Sequence, residues 1–113
     1  ERIQKVIDYI KQNISTSLPN KQLVELSCLS EGRLLHLFKE QVGIPIRQYV
    51  LWQRIGLAVK TFFEGNNLTQ SAHFAGFADS SHFSNIFNNM FGFEPSRILK
   101  KNPLLKAYLD LDV

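Results

Sequence analysis

Two runs of polar residues, 49 positions apart, hold the side chains best suited to chemistry in this chain. In the later run Ser80, Ser81, His82, Ser84, Asn85 and Asn88 flank an apolar stripe; in the earlier run Glu31, Gly32, Arg33, Leu35, His36 and Lys39 stand in the corresponding places. Arg33 and Lys39 carry fixed cations that can neutralise phosphates. His36 can donate to a guanine acceptor and Leu35 can meet a thymine methyl, while the hydroxyls and amides of the later run can reach base edges or phosphates. Catalytic patterns are missing. No paired carboxylates, nucleophile with its base, phosphate loop or cofactor fingerprint occurs, so no catalytic residue and no cofactor is assigned and the chain is not expected to be an enzyme. His36, His73, His82 and Cys28 do not stand at a spacing that suggests a metal site.

These side chains need helices to hold them. Ile3, Val6, Ile7, Ile10 and Ile14 recur at steps of three and four, which predicts a helix over 2–14. Asn20 is expected to cap a short second helix with Leu23, Val24 and Leu26, and Ser30 a third with Leu34, Leu37, Phe38 and Val42, stopped at Gly43. Pro45 suits a helix start, and the apolar pattern from Tyr49 to Phe63 predicts a long helix over 46–64. After Gly65-Asn66-Asn67 the order repeats: a short helix with Ala72, Phe74 and Ala75, a turn at Gly76-Phe77-Ala78, then a helix capped by Asp79 that carries Phe83, Ile86, Phe87, Met90 and Phe91 up to Gly92. Leu34, Leu37, Phe38, Val42 and Gly43 reappear 49 positions on as Phe83, Ile86, Phe87, Phe91 and Gly92, so one tri-helical unit occurs twice. The expected fold is all-α, about seven helices, with a first helix-turn-helix unit over 1–44, a linker helix over 45–64, a second unit over 65–100 and a tail over 101–113.

A length of 113 residues suits one ordinary domain or two very small ones, with no room for a large catalytic cleft. The net charge of +3 is uneven: residues 1–64 carry +3, residues 65–96 carry −2 with no Lys or Arg, and residues 97–113 carry +2. No apolar run approaches a membrane span, and one cysteine allows no internal disulfide, so a cytoplasmic protein is expected. Cys28 itself is expected to be a small buried filler, and the nine phenylalanines, with Trp52 and Met90, to be core. The start at Glu1-Arg2-Ile3 without Met suggests a piece of something longer, with a domain upstream.

From Ala72 to Pro95 the chain reads A-H-F-A-G-F-A-D-S-S-H-F-S-N-I-F-N-N-M-F-G-F-E-P. This resembles the second helix-turn-helix of the AraC/XylS regulators, whose signature runs I-A-x-x-x-G-F-x-D-x-S-x-F-x-R-x-F-K-x-x-x-G-x-x-P. Leu23-Val24, Ser30, Leu34, Phe38-Lys39 and Gly43 look like that family's first unit, and Tyr49, Arg54-Ile55 and Ala58 like its linker helix. The resemblance covers roughly residues 1–100. It implies homeodomain-like tri-helical units that bind double-stranded DNA in adjacent major grooves and regulate bacterial transcription, together with RNA polymerase and often behind an effector-binding or dimerisation domain. A linker of about 19 residues spans about 28 Å, less than the ~34 Å between successive major-groove faces, so bent DNA is expected.

The chain departs from that pattern in several places. Two positions that often carry Arg are His36 and Asn85, and a common Lys is Asn88. Ser71 replaces an apolar residue and Ile98-Leu99 a Tyr-Arg pair, which leaves the packing of the fifth and last helices open; the tail from Asn102 to Val113 lies beyond the resemblance. The rival from another class is a helical protein-interaction module that docks through a Phe-rich surface of the second unit.

Overall fold

In the computed structural model, residues 2–93 and Pro95 are described, and among them six helices form and no strand. They run α1 (Arg2–Gln12), α2 (Asn20–Ser27), α3 (Glu31–Val42), α4 (Ile46–Phe63), α5 (Leu68–Phe74) and α6 (Ser80–Phe91). The last expected helix, Ile98-Leu99 and the tail lie outside the described residues. Two compact units divide the chain, Glu1–Gln53 and Arg54–Val113, with the boundary inside α4.

In the first unit α1 packs on α2 and α3, and α2 packs on α3. Ile3, Val6 and Ile10 of α1, Leu18, Leu23, Leu34, Phe38, and Ile46 and Val50 of α4 form its buried core. Phe38 meets Tyr49 edge-on at 5.4 Å between ring centroids. Helix α1 stops at Gln12, two residues before the end that periodicity suggests. The side chain of Asn13 donates to the carbonyl of Tyr9 at 2.9 Å and Thr16 Oγ1 to that of Asn13 at 2.8 Å, so at the helix end side chains share these carbonyls with the backbone N–H groups of Asn13 and Thr16.

Pro19, not Asn20, is the N-cap of α2, and it gives no side-chain hydrogen bond. Asn20 is the first helical residue, and its amide donates instead to Glu31 Oε2 at 3.1 Å, tying the start of α2 to the start of α3. Ser30 does cap α3, accepting from the backbone N–H of Arg33, and Gly43 ends it at φ 100°, a conformation that costs glycine little.

In the second unit α5 packs on α6. Ile55, Ala58 and Val59 of α4 are buried there, as are Ala72, Ala75, Phe77, Phe83, Phe87 and Pro95. Phe77, Phe83, Phe87 and Phe91 form a ladder with centroids 5.1, 5.7 and 4.5 Å apart, because positions 83, 87 and 91 share one helix face. Ser71 is fully buried, and its hydroxyl donates to the carbonyl of Asn67 at 2.8 Å, so the polar group is satisfied where an apolar one is usual. Asn67 also makes a full capping box with Gln70, an N-x-x-Q signal at the start of α5.

Candidate nucleic-acid interface

Each unit contains a short helix, a turn and a longer helix, and the candidate residues sit on the longer ones. On α3 Glu31, Gly32, Arg33, Leu35, His36 and Lys39 are all exposed, while Leu34 and Phe38 between them are fully buried. On α6 Ser81, His82, Asn85 and Asn88 are exposed, Ser80 and Ser84 are partly so, and Phe83 and Phe87 are buried. Helical periodicity thus separates an anchoring face from a polar face in both units. The side chains differ in freedom. Glu31 is held by Asn20, and His82 is held by the turn before it.

Charge is present on one helix and missing on the other. Arg33 and Lys39 project from α3, whereas α6 carries no Lys or Arg at any position. Its N-terminus is nevertheless well prepared. Asp79 accepts from the backbone N–H of His82 at 2.7 Å, an interaction worth about 1 kcal/mol to the helix start.

The two turns differ more than the repeat suggests. Register 49 holds between α3 and α6, where both N-caps and both C-caps agree: Ser30 with Asp79, Gly43 with Gly92. In the turns, the residue with left-handed backbone is Cys28 at φ 60° in the first unit and Gly76 at φ 96° in the second, a separation of 48. Counted from its left-handed residue to the next N-cap, the second turn is one residue longer, with Phe77 and Ala78 where the first has Leu29 alone. Cys28 is exposed, not the buried filler that its apolar neighbours suggest, because the residue that leaves a helix in left-handed backbone turns off the packed face.

Four of the nine phenylalanines are core, four are half-buried and one is exposed. Phe38, Phe77, Phe83 and Phe87 are buried and Phe62, Phe63, Phe91 and Phe93 partly buried, while Phe74 is 58% exposed. Trp52 is also on the surface, at 37%. The Phe-rich docking face that a protein-interaction module would need is largely turned inward. An open cleft of about 350 Å³ in the first unit is lined by Arg2, Ile3, Lys5, Leu37 and Gln41. Among the described residues no helix is long and apolar enough to cross a membrane, and no group of three His, Cys, Asp or Glu is placed to hold a metal ion.

Comparison with known proteins agrees with this architecture. The model of a helix-turn-helix domain family matches residues 23–101. Among curated proteins, the chain is 34% identical over 100 residues to a probable transcriptional regulator, LumQ, of Photobacterium leiognathi, covering 86% of this chain and 40% of that protein. It is 26% identical over 95 residues to the transcriptional activator RhaS of Yersinia pestis, covering 83% of this chain and 35% of the activator. The chain thus spans well under half the length of these relatives. Among solved structures, an AraC-type regulator from Chromobacterium violaceum superposes with a TM-score of 0.77 at 20% identity, over 99% of this chain and 95% of that one. The DNA-binding domain of AdpA, solved in complex with a target DNA, superposes with a TM-score of 0.80 at 15% identity, over 95% and 97% of the two chains. The family model covers most of the chain's length, so this chain belongs to that helix-turn-helix domain family, and its fold is that of AraC-type DNA-binding domains.

Proposed function

We propose that this chain binds double-stranded DNA sequence-specifically, offering α3 and α6 to successive major grooves, and that it regulates bacterial transcription. The observation that carries this reading is the repeated division of each second helix into a buried apolar face and an exposed polar one, each behind a short helix and a tight turn. Arg33 and Lys39 serve phosphates; Leu35, His36, Ser81, His82, Asn85 and Asn88 serve base edges and nearby backbone; Glu31, Gly32, Ser80 and Ser84 line the approach. RNA polymerase is the expected protein partner, an effector-binding or dimerisation domain is expected in the longer protein, and the cytoplasm is the expected compartment. The greater length of the curated relatives supports the further domain.

Selection of bound sequences from random duplex DNA by the purified chain tests the reading. The expected result is a two-part site with its halves about one helical turn apart, and bent DNA in a circular-permutation mobility assay. Recovery of no preferred sequence overturns it.

A further inference from the structure

The residue just before the N-cap is held differently in the two turns: in the first, the N–H of Leu29 donates to Ser27 Oγ at 3.2 Å. Ala78 lies between Phe77, which is buried, and Asp79, whose carboxylate is already taken up by the N–H of His82. The acceptor for the Ala78 N–H is Nδ1 of His82, at 3.4 Å. A second contact orients the same ring: the imidazole meets Phe77 edge-to-face, with centroids 5.6 Å apart and planes at 73°. His82 and the turn therefore cap each other, the Asp79 side chain to the His82 backbone and the His82 side chain to the Ala78 backbone.

This arrangement favours one placement of the ring proton. In neutral imidazole one nitrogen donates and the other accepts, and a hydrogen bond received at Nδ1 leaves the proton on Nε2. Nε2 lies across the ring from Nδ1, on an exposed residue at the third position of α6. We propose that His82 is a specificity-determining residue of the second unit, reading a hydrogen-bond acceptor on a base edge through Nε2–H, with its tautomer set by Ala78. The proposal rests on the DNA-binding reading above and deepens it.

A donor of fixed identity accepts only part of the major-groove code. Purine N7, guanine O6 and thymine O4 are acceptors, whereas cytosine presents its amino donor. At the contacted base His82 selects for adenine, guanine or thymine and against cytosine. Asn85 and Asn88 differ from it in kind, since an amide offers both a donor and an acceptor.

Site selection and duplex titration on three variants test the proposal. His82→Asn keeps an acceptor near the Nδ1 position but places nothing at Nε2. His82→Gln places an amide donor near Nε2 and gives up the acceptor near Nδ1. His82→Phe keeps the ring on Phe77 and loses both nitrogens. In wild type the contacted base is expected to discriminate against cytosine by about three- to tenfold, the worth of one hydrogen bond. His82→Asn and His82→Phe should lose that discrimination at one position of the second half-site while the first half-site is unchanged, and His82→Gln should retain part of it. If His82→Asn selects the same sequence as wild type, or all variants weaken every sequence equally, His82 is only a cap and the proposal is overturned. Failure of wild type to select any sequence overturns the DNA-binding reading itself, so the two failures are distinguishable.

Discussion

Arg47 Nη2 donates to the carbonyl oxygen of Leu18 at 2.6 Å, joining the first turn of α4 to the segment between α1 and α2 across 29 residues of sequence. Leu18 is itself buried in the first core, so this bond holds the segment down at the point where its side chain enters. Partial burial lowers the pKa of the guanidinium from its ordinary value, which still leaves it charged at neutral pH. Arg47 is thus engaged in the fold of its unit. Replacement by Met should cost about 1 kcal/mol in chemical denaturation and leave the selected DNA sequence unchanged. An altered selected sequence with unaltered stability would show that Arg47 serves DNA instead.

The uneven charge predicts an uneven response to salt. If about 4–6 phosphates are neutralised, log K should fall against log salt with a slope near −4 to −5, and Lys39→Ala should make it shallower by about 0.9. Asn88→Ala carries no charge change and should leave the slope as it is. Equal changes in both variants, measured by fluorescence anisotropy across a salt series, would place the electrostatic contacts evenly over the two units.

Amides on the second recognition helix predict base preference. Asn pairs with adenine N6 and N7, so the half-site bound by α6 should lean to A·T, an expectation compatible with a thymine or adenine acceptor opposite His82. Asn85→Arg should move the preference toward guanine by about 1–3 kcal/mol at one position. A guanine-rich second half-site already in wild type would contradict the assignment.

Tyr49 predicts a loss of stability in alkali. Its pKa is raised, first by burial and then by the carboxylate of Asp8, so the folded state holds the phenolic proton more tightly than the unfolded chain does. A raised folded value means that the stabilisation is complete below the ordinary tyrosine pKa of about 10 and disappears as pH rises through the folded value. The resistance of the chain to denaturation should therefore fall above about pH 10, and Tyr49→Phe should remove part of that slope. An unchanged slope in the variant would assign the alkaline loss to other groups.

Most of the helical frame was legible in the sequence because it rests on contacts three and four residues apart. The apolar steps at Ile3, Val6 and Ile10 and at Phe83 and Phe87 mark buried faces, and Ser30, Asp79, Gly43 and Gly92 mark helix ends by their own chemistry. The motif around Gly76-Phe77 likewise identifies the second turn, since a glycine at positive φ and a buried aromatic are local needs. The polar faces of α3 and α6 follow from the same periodicity, by subtraction.

Pattern alone misplaced whatever depends on which partner is near in space. Asn20 has the composition of a cap but reaches Glu31, and Cys28 sits among apolar neighbours yet lies on the surface. Phe74 and Trp52 follow helical spacing with the core residues but stand exposed, because a helix can bury only as much of its surface as its neighbours cover.

From its sequence alone this protein is determined to be helical, twice repeated and polar on the outer side of each second helix. The tie from Arg47 to Leu18 and that from Asn20 to Glu31 were decided by tertiary structure. The physical reason is range: helix periodicity and caps act within about one turn of chain, whereas the partner of a side chain depends on what folding brings beside it.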